Sequence, residues 1–94
     1  MAQQYIGTAR WGTVTNQIYT ASASTAITVG SGIYKVRIQC TSDAYVRTDS
    51  VTATSSNGVY MTAGQAEYVT VNPGQTITAV QVSAGGSIQV VECL

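Results

Sequence analysis

Histidine is absent from these 94 residues, and charge nearly so: four Lys and Arg, four Asp and Glu, together 9% of the chain with no net charge. An ordinary soluble domain carries roughly a quarter charged residues. Without histidine the commonest general base and the commonest metal ligand are missing. Neither a Ser-His-Asp nor a Cys-His nucleophile system can be assembled. Cys40 and Cys93 stand far apart and alone, which does not make a zinc site. The glycine-rich turns lack the Lys and following helix of a phosphate-cradling loop, and no Asp-x-Asp series offers calcium ligands. The expectation is a chain without catalysis, cofactor or metal. Asp43, in the turn Thr41-Ser42-Asp43, is expected to bond its local backbone. Asp49 is expected to pair with Arg47 or cap a turn, and Glu67 and Glu92 to face water.

Clustered cations are lacking too, which argues against nucleic acid as a partner and against an anionic membrane surface. No apolar run is long enough to span a bilayer. Met1-Ala2-Gln3-Gln4-Tyr5 has neither the basic nor the apolar region of a secretory signal, so assembly in a cytosol is expected. There Cys40 and Cys93 are expected to be buried thiols, a disulfide being the alternative.

What is present is strand material. Apolar residues make up 45% of the chain, and Thr, Val, Ile and Tyr dominate between closely spaced turn signals. Asn57-Gly58 suits a type I′ hairpin, Asn72-Pro73-Gly74-Gln75 a type II turn, and Gly85-Gly86 a tight hairpin. From Ile33 to Cys40 the chain alternates, with Tyr34, Val36, Ile38 and Cys40 on one face and Lys35, Arg37 and Gln39 on the other. Thr76 to Val82 alternates less cleanly. Ser87 to Cys93 has Ile88 and Val90 opposite Val91 and Cys93, which reads as a central strand or one covered on its second face. No helical stripe exceeds two turns. Six or seven short strands predict an all-β fold: a single small β-sandwich, jelly-roll-like or Ig-like, or a small barrel with an extended N-terminal arm.

Residues 1–20 differ from the domain at 21–94. Tyr5, Ile6, Trp11, Val14, Ile18 and Tyr19 are scattered among polar residues without clean alternation, and Ala21 to Ala26 is a lead-in of small side chains. Two readings stand open: a first strand folded on its own domain, or an arm that packs on another chain. In the second, Tyr5, Ile6, Arg10, Trp11 and Ile18 are the partner-binding residues, because Trp, Tyr and Arg dominate interface energetics. Trp11 and exposed tyrosines offer a third possibility, stacking on sugar.

The segments Ala23 to Gly30, Cys40 to Arg47, Val51 to Thr54, Met61 to Val71 and Ile77 to Val91 together carry a resemblance. Ser22 to Val91 resembles small virion proteins of tailed bacteriophages, of the capsid decoration (cement) or head-associated type. The shared features are a Tyr45-Val46-Arg47 strand, a Thr/Ala-rich loop, the Ala63-Gly64-Gln65-Ala66-Glu67-Tyr68 turn and a closing hairpin. The resemblance implies a β-sandwich on the capsid surface of a virion, assembled in the host cytoplasm. Its partner would be the major capsid protein, and it would itself be a homo-oligomer, with a trimer the favoured state. A head–tail connector or tail accessory protein is the alternative.

Overall fold

β-Branched and aromatic side chains between turn formers favour strands, and the computed structural model, which describes residues 10–94, contains eight of them and no helix. They are β1 (Trp11–Tyr19), β2 (Ile27–Thr28), β3 (Lys35–Cys40), β4 (Ala44–Arg47), β5 (Val59–Met61), β6 (Glu67–Thr70), β7 (Thr76–Gln81) and β8 (Gly86–Cys93). One sheet has the order β1-β8-β3-β6 and the other β2-β7-β4-β5. Every pairing is antiparallel. The partners 1:8, 2:7, 3:6 and 4:5 are those of one long hairpin folded at its middle. Rolling that hairpin adds the pairs 3:8 and 4:7. This is the jelly-roll arrangement of a β-sandwich, rather than an Ig-like one or a closed barrel.

The core lies between the sheets. Val36, Ile38 and Cys40 of β3, Ile88 and Val90 of β8 and Tyr19 of β1 meet Ile27, Ile77, Ala79, Ala44, Val46 and Met61 from the other sheet. Removing such side chains from water contributes about 1.5–3 kcal/mol for each large one. The uneven alternation of β7 has a specific cause. Its outward Thr78 and Val80 are also buried, under the segment 51–55. There Ala53 N–H donates to Thr78 Oγ1 at 2.9 Å. On the strand's edge, Ser24 exchanges bonds with the Ala79 backbone.

Several turns depart from expectation. Asn72-Pro73-Gly74-Gln75 does close with Gly74 at φ 85° and Gln75 N–H on Asn72 O at 3.2 Å, as a type II turn requires. Asn57-Gly58 is not a type I′ hairpin, since neither residue has a positive φ. The connection from β4 to β5 is too long for a two-residue turn. Asn57 instead braces it, accepting from Thr54 N–H at 2.8 Å and donating to Thr52 O at 3.1 Å. Gly85-Gly86 closes no hairpin either, because β7 and β8 lie in different sheets. It carries the chain across the end of the sandwich.

Gly86 is needed at that crossing for lack of room. A Cβ there would stand 2.4 Å from Ser42 Oγ, 2.6 Å from Thr41 Oγ1 and 2.9 Å from the Tyr19 hydroxyl. Those groups form a knot. The buried Tyr19 hydroxyl donates to Ser42 O and accepts from Ser42 N–H at 3.2 Å. Ser42 Oγ reaches Ala84 O and Gly85 O at 3.1 and 3.0 Å.

Cys40 and Cys93 are both buried free thiols, and burial pushes the Cys40 thiol up to about 11, against a smaller opposing pull from Tyr19. Two outcomes are expected. Tyr19→Phe, which leaves Ser42 N–H short of a partner, should cost about 1–3 kcal/mol, read as a lower urea midpoint at unchanged slope. Iodoacetamide should leave Cys40 and Cys93 unmodified in the folded chain and alkylate both once it is unfolded, because burial keeps the reagent from both sulfurs.

Candidate binding face

From Trp11 onward the leading segment is the edge strand β1, paired with β8, rather than a detached arm. Tyr5 and Ile6 lie outside the described residues. Register assigns the faces. Thr15 pairs with Val90, Gln17 with Ile88 and Tyr19 with Gly86, so these three turn toward the core. Val14, Asn16 and Ile18, opposite Val91, Gln89 and Ser87, turn outward. The strand is therefore inverted above Tyr19: polar Thr15 and Gln17 are half-buried, whereas Val14 and Ile18 face solvent, Ile18 with 75% of its surface exposed. A bulge between Trp11 and Val14 breaks the alternation further.

The rows continue across the sheet. Val14, Val91, Arg37 and Tyr68 stand side by side on β1, β8, β3 and β6, and Trp11, Cys93, Lys35 and Thr70 form the next row. The Arg37 guanidinium lies 5.9 Å from the Trp11 ring centre, and the Lys35 ammonium 5.7 Å from that of Tyr68. Strands β1 and β3 flank β8 at about 4.8 Å on either side, so the Trp11–Arg37 pair arches over β8. That accounts for the burial of Val91 and Cys93, only 4% and 6% exposed although they point away from the core. The covered second face expected for this strand is thus supplied within the sheet. Trp11 itself remains 66% exposed.

Among the described residues no carboxylate sits on this face. Glu92 and Glu67 pair with Val36 and Ile38, in the inward rows. Glu92 does not face water as expected. It accepts from Gly30 N–H at 2.8 Å. Asp43 and Asp49 flank β4 in the opposite sheet. The face therefore combines exposed apolar and aromatic side chains with Lys35 and Arg37. Exposed apolar patches of this kind mark interaction surfaces, and cation–π pairs hold the aromatic rings in place for about 0.5–1 kcal/mol each.

Of the predicted partner-binding residues, Trp11 and Ile18 share this face at opposite ends of β1. Arg10 is exposed just before the strand, its carbonyl accepting from Leu94 N–H at 2.7 Å. Val14, Lys35, Arg37 and Tyr68 were not foreseen. The alternation of β3 did set Lys35 and Arg37 opposite the core, but nothing in the sequence says that β3 lies beside β8 and so one strand from β1.

The remaining titratable groups are structural. Asp43 bonds not its own turn but β5 and the connection that follows it: Oδ1 accepts from Ala63 N–H at 2.8 Å and Oδ2 from the Tyr60 hydroxyl. The Tyr60 bond, then the Ala63 bond, hold its carboxyl below the usual range. The exposed Asp49 is likewise lowered, first by the hydrogen bond from Arg47, its half-buried ion-pair partner. No group of three metal-ligating side chains occurs among the described residues. A cleft of about 250 Å³ opens between the β5 and β6 edges, walled by Ile38, Val46, Met61 and Val69, with Arg47, Asp49 and Glu67 also lining it.

Comparison with protein-family models, with curated proteins and with solved structures gives no match.

A carboxyl whose folded value is depressed stabilises above its unfolded value, and that contribution disappears as pH falls through the folded value. Denaturant midpoints should therefore drop below about pH 4, the ordinary range of an aspartate. The drop should be shallower in Asp43→Asn, which no longer ionises at that position.

Proposed function

We propose that this chain is a non-catalytic structural module that attaches through the outer face of the β1-β8-β3-β6 sheet to a protein surface. The observation that carries the reading is the inversion of β1. A strand that turns Val14 and Ile18 to solvent and Thr15 and Gln17 inward gives up core burial for an adhesive exterior. The same face carries Trp11, Tyr68 and Arg37, residue types that supply most of the binding energy at protein interfaces. A face with two cations and no carboxylate suits a neutral or acidic partner.

The setting proposed for it is the outside of a tailed-phage head. There the chain would decorate the shell, contact the major capsid protein and bridge neighbouring subunits, adding contacts that resist their separation. Support for the setting comes from the strand-and-turn resemblance between Ser22 and Val91. Jelly rolls also recur in viral capsid domains, an analogy of architecture rather than of site. Many copies on one lattice would let a modest single contact hold through avidity.

The test is an add-back experiment on particles lacking the chain. Trp11→Ala and Ile18→Ser each remove an exposed side chain, so both variants should stay folded by circular dichroism. If Trp11 and Ile18 are anchors worth about 2 kcal/mol apiece, each variant should bind roughly 30-fold more weakly. Undiminished binding by both variants would remove the face from consideration. Wild-type copy number on complete particles limited to a single ring would indicate a head–tail joint instead of a decorated shell.

A further inference from the structure

We infer that β1 is an inter-chain pairing edge: two copies of this chain join antiparallel along β1, about a two-fold axis at Asn16, to form one continuous eight-stranded sheet. The inference does not depend on the capsid setting.

The four sheet edges differ. An edge strand exposes unpaired N–H and C=O groups, and proteins blunt such edges by keeping them short, charging them or placing proline there. Three edges here are blunted. β2 has two residues and β5 three, while β6 has four, beginning with the exposed Glu67. β1 is nine residues long and contains neither a charge nor a proline; its bulge lies between Trp11 and Val14, and Val14 to Tyr19 run in regular register. Among the described residues nothing pairs with its free side. Among the described residues, the stretch of β1 from Val14 to Tyr19 is thus the one long regular edge that carries none of these devices.

The pattern of β1 is also self-complementary. In an antiparallel pair, residues opposite one another share a face and interact directly. A two-fold axis at Asn16 sets Val14 of one copy against Ile18 of the other, twice, with the two Asn16 amides between them. On the inward side the same axis sets Thr15 against Gln17. Apolar residues meet apolar ones, and polar meet polar. Moving the axis one residue to Thr15 places Val14 against Asn16 and Ile18 against Gly12. Moving it to Gln17 places Ile18 against Asn16 and Val14 against Thr20. Only the Asn16 register covers the outward-facing Val14 and Ile18 with each other. Such a contact is isologous and closed, so it consumes both edges and ends at a dimer instead of propagating.

Light scattering of the full chain at micromolar concentration, with no particles present, should report a dimer. Asn16→Lys places two like charges across the axis and should weaken association at least about tenfold without unfolding the exposed site. Register is read by oxidation. Opposed Cα atoms in an antiparallel pair lie about 4.5–5.5 Å apart, within the range a disulfide spans. Asn16→Cys should therefore give a covalent dimer rapidly. Ile18→Cys, whose two copies would stand about 13 Å apart along the strands, should not. The native Cys40 and Cys93 are buried, so the unaltered chain serves as the control. A monomeric wild type, an Asn16→Lys variant as dimeric as wild type, or crosslinking of Ile18→Cys in preference to Asn16→Cys would each overturn the inference.

Discussion

The pairing of β1 with β8 is the contact on which the rest of this molecule's surface depends. It is secured at one end by the buried Tyr19 hydroxyl, which grips Ser42 in the turn between β3 and β4. At the other end Leu94 N–H donates to Arg10 O. With β1 in place, Trp11 comes one strand away from Arg37, Val91 and Cys93 are covered, and Val14 and Ile18 face outward. A buried hydroxyl with its partners satisfied is costly to disturb, because any loosening strands polar groups away from water. The Tyr19 knot therefore acts at a distance: an internal bond at one end of the sandwich sets the exterior along a whole strand.

The second organising feature is the separation of charge. Eight formal charges are few, yet they are not spread evenly. Lys35 and Arg37 stand on the outer face of one sheet, while Asp43, Asp49 and Arg47 flank or lie on β4 in the other. Three of the four acidic side chains are occupied, Asp43 by Tyr60 and Ala63, Asp49 by Arg47 and Glu92 by Gly30. The two cations of the outer face rest instead against aromatic rings. Removing the face from water would bury no unpaired carboxylate, and burial of an unpaired charge is the main cost that opposes association of polar surfaces.

Much of the architecture was legible because its chemistry is local. The type II turn at Asn72-Pro73-Gly74-Gln75 follows from what Pro and Gly permit. The alternation of Val36, Ile38 and Cys40 announced a strand with one buried face, and the absence of a 3.6-residue stripe excluded helices. Other passages misled for equally physical reasons. Asn57-Gly58 has hairpin chemistry, but its side chain was recruited to brace a long loop. Gly85-Gly86 has turn chemistry, but it serves the close approach of Thr41, Ser42 and Tyr19. Residues 11–19 read as irregular because their apolar positions face solvent and a bulge shifts the phase. Inverted amphipathicity is indistinguishable from poor amphipathicity until the core is located.

By itself, then, the sequence determined the kind of structure and the chemistry it lacks: strands without helices, and no histidine to carry a proton. Those properties reside in single residues and near neighbours, which short-range sterics and side-chain type decide. Which strands lie side by side was decided only in three dimensions. Register across β1, β8, β3 and β6 joins residues separated by most of the chain, and the same local alternation is compatible with many strand orders. The cationic–aromatic face and the long β1 edge exist only in the order that the rolled hairpin selects, because packing both sheets around one core brings the first and last strands together.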